Sequence, residues 1–83
     1  MIDNKDLIVQ YSIFSKNIKF YRKQNKLTQE MLAEKADLSI SYIKQIESGT
    51  EFKNVSLTAI LKLSKALGIS VRDLFELRQE VEC

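Results

Sequence analysis

The residues at 39–48 fall into two groups when set around a helix at 100° intervals. Tyr42, Ile43 and Ile46 share one side. Ile40, Ser41, Lys44, Gln45 and Ser48 share the other. The second group has the chemistry of base-edge recognition. Gln45 offers an amide donor and acceptor side by side, the bidentate match to adenine. Ser41 bonds to several base edges, Lys44 reaches guanine or a phosphate, and Ile40 suits a thymine methyl. The side chains at the N-terminal half are short or carry an amide, so the helix end can approach a groove floor. Two plainer readings stay open: Gln45 as a solvated helix residue, and Ile40 as an exposed aliphatic or an edge-of-core residue.

Phosphate chemistry has its own candidates. Lys16, Lys19, Arg22, Lys23 and Lys26 follow one another with no acidic residue between them, in a chain whose net charge is only +2. Such a basic strip is an electrostatic footprint for a polyanion. The competing reading is a solvated helix face, which charge runs usually are. Other chemistry is thinly represented. The chain has no His and a single Cys, Cys83, its last residue. It has no Gly-rich phosphate loop and no hydrolase motif, and acids such as Glu30 and Glu34 fit solvent-facing helix positions. No catalytic residue, metal ligand, cofactor or small-molecule ligand is expected, and the chain is not expected to be an enzyme.

The elements that position these residues follow from periodicity and caps. Leu7, Tyr11, Phe14, Ile18 and Tyr21 make one apolar stripe on a long first helix. Asn25 and Lys26 are its expected stop, with Asn taking left-handed geometry. Thr28 is an N-cap for a second helix whose inner face is Leu32, Ala33 and Ala36. Asp37 suits a sharp turn. Ser39 caps the third helix and Gly49 ends it. Residues 27–49 thus form two short helices and a turn of about three residues, the pattern of a helix-turn-helix. Ser56 caps a fourth helix, with Leu57, Ile60, Leu61, Ser64 and Leu67 expected inward and Gly68 as its stop. Ser70 and Asp73 form a capping-box variant for a fifth helix, whose apolar side is Val71, Leu74 and Phe75.

Eighty-three residues make one small domain that buries only about 60% of its unfolded surface, so efficient packing or oligomerisation is required. There is no Pro, and only two Gly, which favours an all-helical chain with short turns. No apolar run approaches the roughly 18 residues of a membrane span, and the N-terminus lacks a signal-peptide core. A cytoplasmic location and no membrane partner are expected. Cys83 sits in a tail expected to fray.

The residues Arg22, Leu27, Thr28, Gln29, Leu32, Ala33, Ala36, Leu38, Ser39, Tyr42, Ile43, Ile46, Glu47 and Gly49 match a known pattern. So do Ser56, Leu57, Ile60, Ala66, Leu67, Gly68, Ile69, Ser70, Leu74 and Phe75. Together they resemble the phage Cro and repressor type of helix-turn-helix domain, the XRE group. The resemblance covers about 14–76 and implies an all-α, five-helix, lambda-repressor-like fold. The chain is then one DNA-binding domain over 1–83, with a helical N-terminal extension at about 7–13. The resemblance further implies a homodimer on double-stranded DNA, with the helix at 39–48 in the major groove of a near-palindromic operator.

Several site roles come from this resemblance. Residues in the places of Ile40, Ser41 and Gln45 read bases. Gln29 opens the second helix and holds a phosphate through side chain and backbone N–H, consistent with helix N-terminus physics. Thr28 and Ser39 are expected at phosphate too, and Tyr42 and Lys44 hold positions used variably for backbone or base. Lys53 and Asn54, in the loop after the third helix, are expected on the far phosphate backbone. Arg22 and Glu47 match a partly buried ion pair and are expected to be structural first.

Departures from the pattern are Asp37 at a turn position often held by Gly, Lys26 where Gly is frequent, and Val55 where Pro is common. The run Asn54, Val55, Ser56, Leu57 is similar to the controller proteins of restriction–modification systems. The expected function is sequence-specific transcriptional regulation. An alternative is an antitoxin-type or other protein-interaction module in which DNA binding is secondary, although residues 77–83 leave little room for a toxin-binding tail.

Overall fold

The computed structural model describes residues 3–49 and 55–77. Among them the chain forms α1 (Asn4–Gln24), α2 (Gln29–Ala36), α3 (Ile40–Ser48), α4 (Leu57–Leu67) and α5 (Val71–Leu74), with no strand. Each helix begins where a short polar side chain replaces a missing intrahelical partner. Asp3, Thr28, Ser39, Ser56 and Ser70 are the N-caps, each in extended backbone geometry. At Ser70 the box is reciprocal: its hydroxyl accepts from the Asp73 N–H, and the Asp73 carboxylate accepts from the Ser70 N–H. The expected caps and helix order are all present.

Three helices end in the same way. The N–H of Leu27 reaches the Arg22 carbonyl at 3.1 Å and that of Lys26 reaches Lys23 at 2.9 Å. Leu38 to Ala33 and Asp37 to Glu34 repeat the pair, as do Ile69 to Ser64 and Gly68 to Lys65. This pair of hydrogen bonds is the Schellman motif, and it needs one left-handed residue. That residue is Lys26 (φ 59°), Asp37 (φ 59°) and Gly68 (φ 70°) respectively. The first is a correction. The sequence pattern puts left-handed geometry on Asn25, but Asn25 has φ −87° and the turn falls on Lys26. Asn25 instead uses its side-chain amide to bond the Tyr21 carbonyl at 2.8 Å.

The core joins all five helices. Phe14, Ile18, Leu32, Ile43, Ile46, Leu63 and Leu74 are fully buried. Ala33 and Ala36 are buried too, and these small residues let α2 approach its neighbours α3 and α4 closely. Tyr11, placed outside the expected domain core, is buried within this cluster. Leu7, one turn earlier on the same stripe, is 38% exposed. The expected inner face of α4 needs a second correction. Ser64 and Leu67 are buried and Ile60 is half-buried, but Leu57 and Leu61 face solvent at 68% and 47% exposure. Ala59, Leu63 and Ala66 take the inward positions. Small residues at 59 and 66 bring α4 close on that side, and the larger leucines are left outside.

α5 is only one turn long, and α1 holds it. Phe75 stacks on Phe14 with ring centroids 5.1 Å apart. The buried amide of Asn17 donates to the carbonyls of Asp73, Leu74 and Glu76 at 3.3, 2.9 and 2.9 Å. One amide of α1 thus gathers the carbonyls at the C-terminal end of α5 and just beyond it.

Candidate nucleic-acid interface

α3 is divided as its periodicity requires. Ile43 and Ile46 are fully buried, while Ser41, Lys44, Gln45 and Ser48 are exposed. Ile40 and Tyr42 are half-buried and pack against the core. The outward strip is therefore Ser41, Lys44 and Gln45, with Ile40 at its margin. Three residues, 37–39, separate α3 from α2.

Two residues of α1 fix the far end of α3. The Tyr11 hydroxyl donates to the Gln45 carbonyl at 3.4 Å, and the Ser15 hydroxyl donates to the Ile46 carbonyl. Gly49 ends α3 with φ +60°, and a Cβ there would stand 3.0 Å from Ser15 Oγ. The left-handed turn favours glycine at this place, and the close approach of Ser15 leaves a Cβ little room. Neither Tyr11 nor Ser15 stood out as a site residue. Ser15 inside an otherwise helical run was the available signal, since hydroxyls there often bond a carbonyl.

Arg22 and Glu47 do form the expected ion pair. Arg22 Nε donates to Glu47 Oε2 at 2.6 Å and Nη2 donates to Oε1 at 3.0 Å, with side chains 10% and 3% exposed. Arg22 Nη1 also donates to the Leu27 carbonyl at 2.8 Å, which ties the pair to the turn between α1 and α2. Gln29 joins this group: its Nε2 donates to Glu47 Oε1 at 3.1 Å. One carboxylate thus links α1, the N-terminus of α2 and the last turn of α3.

The hydroxyls of Thr28 and Ser39 accept from the N–H groups of Met31 and Tyr42, at 3.0 and 3.1 Å. Both residues are exposed, so the first turns of α2 and α3 open to solvent. Lys16, Lys19, Lys23 and Lys26 are exposed, whereas Arg22 of the same basic strip is buried. Lys53, Asn54 and Cys83 lie outside the described residues. Among the described residues no group of His, Cys, Asp or Glu could hold a metal ion, and no helix is long and apolar enough to cross a membrane.

This geometry has close counterparts. A family profile described as Helix-turn-helix matches residues 18–74. Control protein C.BamHI of Bacillus amyloliquefaciens is 47% identical over 53 residues, 64% of this chain and 63% of that protein. The Immunity repressor protein of Bacillus phage phi105 is 50% identical over 54 residues, 65% of this chain and 36% of the repressor. The chain thus spans less than two thirds of the length of either relative. The crystal structure of the restriction-modification controller protein C.AhdI from Aeromonas hydrophila superimposes with a TM-score of 0.73 at 39% identity. That match covers 81% of this chain and 98% of the controller. The chain belongs to the helix-turn-helix family, and the control and repressor proteins above are what it is similar to.

Proposed function

We propose that this protein is a sequence-specific transcription regulator that binds a near-palindromic operator as a homodimer, with α3 of each subunit in a major groove. The observation that carries this reading is the division of α3. Its back is anchored through Ile43 and Ile46, and its front presents Ser41, Lys44 and Gln45 to solvent. Gln45 is assigned to an adenine edge, Ser41 to a base edge and Lys44 to guanine or phosphate, with Ile40 touching a thymine methyl from the margin. Thr28, Gln29 and Ser39 at the helix starts, Tyr42 beside them, and Lys53 and Asn54 after α3 are assigned to phosphates. These contacts set affinity and salt dependence, whereas the front of α3 sets sequence.

The homodimer reading is supported by Leu57 and Leu61, one turn apart on α4 and exposed at 68% and 47%. A two-fold arrangement of such a surface buries these side chains against themselves. The likeness to control proteins supports a controller role, exerted in the cytoplasm.

The test is selection of bound sites from a random DNA library. The expected product is a pair of inverted half-sites centred one helical turn apart, about 34–36 Å. A single unpaired half-site, or no enrichment, would overturn the dimer or the sequence-specific reading respectively.

A further inference from the structure

Glu47 is out of place as a purely structural acid. It sits beside Gln29, a side chain assigned to a phosphate, and a carboxylate repels a phosphate unless its charge is balanced. Arg22 supplies that balance with two bonds, at 2.6 and 3.0 Å. One lone pair of Oε1 remains engaged with Gln29 Nε2 at 3.1 Å. We propose that Glu47 is a positioning residue for DNA binding, which holds the Gln29 amide with a donor facing the phosphate. This rests on the DNA-binding reading above.

A glutamine amide has two faces of opposite character, and a free one presents either. Next to Glu47 Oε1, which already accepts from Arg22, the NH2 side faces inward. The orientation of the Gln29 amide is therefore set before DNA arrives. Its NH2 carries two hydrogens, and Glu47 takes one. The second is left to a phosphate at the start of α2, where the backbone N–H groups of the first turn also lack intrahelical partners. Gln29 is half-buried, and its side chain is fixed at one end by α3. Immobilising such a side chain at the moment of binding costs a factor of about 2 to 10 in affinity, and the Glu47 bond removes that factor.

The sign of one substitution separates this role from simple electrostatics. Glu47→Gln removes a negative charge near the DNA, so charge alone predicts binding as tight or tighter. Positioning predicts weaker binding, by about 2- to 10-fold, and equally on operator and unrelated DNA, because a phosphate carries no sequence. The experiment is a double-mutant cycle in operator affinity over wild type, Glu47→Gln, Gln29→Ala and the double variant, each checked for folding by circular dichroism. The expected result is a loss for Glu47→Gln that vanishes in the Gln29→Ala background. Two losses that simply multiply would overturn the proposal while leaving DNA binding intact.

A second arm needs no substitution. In the 1H–15N spectrum of the free wild-type protein, the two Gln29 Nε2 protons should be well separated, and saturating operator should shift the proton not engaged by Glu47. Side-chain amide shifts typical of a solvated glutamine would overturn the proposal. A protein that binds no DNA in either arm removes the underlying reading along with it.

Discussion

At the scale of single residues, the front of α3 makes the most specific claim. Gln45→Ala should cost about 1–3 kcal/mol on the cognate operator and relax preference at one base pair. Fluorescence anisotropy against single-base operator variants checks this, and an unchanged profile would remove Gln45 from the reading set. Lys26 makes a different claim. It fills the left-handed position of a Schellman motif that Gly68 fills without strain in α4. Left-handed geometry costs an L-residue roughly 1–2 kcal/mol, partly offset by the flexibility a glycine adds to the unfolded chain. Lys26→Gly should therefore raise stability by about 0.5–1 kcal/mol in urea denaturation. A drop would mean that the Lys26 side chain contributes more than its backbone costs.

At the scale of elements, the same carboxylate that orients Gln29 also locks α1 to α3. Arg22→Ala leaves Glu47, 3% exposed, without its cation and short of two donors, so it should destabilise the fold by about 3–5 kcal/mol. Thermal unfolding of the variant measures this, and a change below about 1 kcal/mol would place the pair among weak surface bridges. The local devices were legible in the sequence because they act over three or four positions. Thr28, Ser39, Ser56 and Ser70 bond a backbone N–H three residues on, as their types and places require. The partition of α3 was legible too, since helical spacing alone separates Ile43 and Ile46 from Ser41, Lys44 and Gln45. What spacing does not encode is which neighbour arrives. Asn17 meets carbonyls 56, 57 and 59 positions away, and Gln29 meets Glu47 18 positions away. Leu57 and Leu61 face solvent for the same reason: their apolar character suits a core or an exposed surface equally, and only the placement of α4 decides.

At the scale of the whole molecule, the proposed function gives two surfaces separate duties. The apolar patch on α4 is assigned to pairing, and α3 with the starts of α2 and α3 to DNA. Replacing Leu57 and Leu61 together with Glu should give a folded monomer by sedimentation velocity, because both side chains are largely outside the core. Its operator affinity should fall well below that of wild type at the same subunit concentration, since each subunit then binds its half-site alone. A dimer that survives both substitutions would move the pairing surface elsewhere. The salt dependence reports on the DNA surface independently, with a slope of about −0.9 per neutralised phosphate in a plot of log K against log salt.

The bonds from Tyr11 and Ser15 end on main-chain carbonyls of α3, not on its side chains. Every amino acid except in its side chain is the same there, so the grip is blind to what residue 45 is. In the proposed function α3 is therefore a socketed part: its outward letters can be rewritten, by selection in nature or in the laboratory, without loosening the mount. A library randomised at Ser41, Lys44 and Gln45 should yield mostly folded proteins that differ in the DNA they prefer. The neighbouring Gly49 will not tolerate the same freedom.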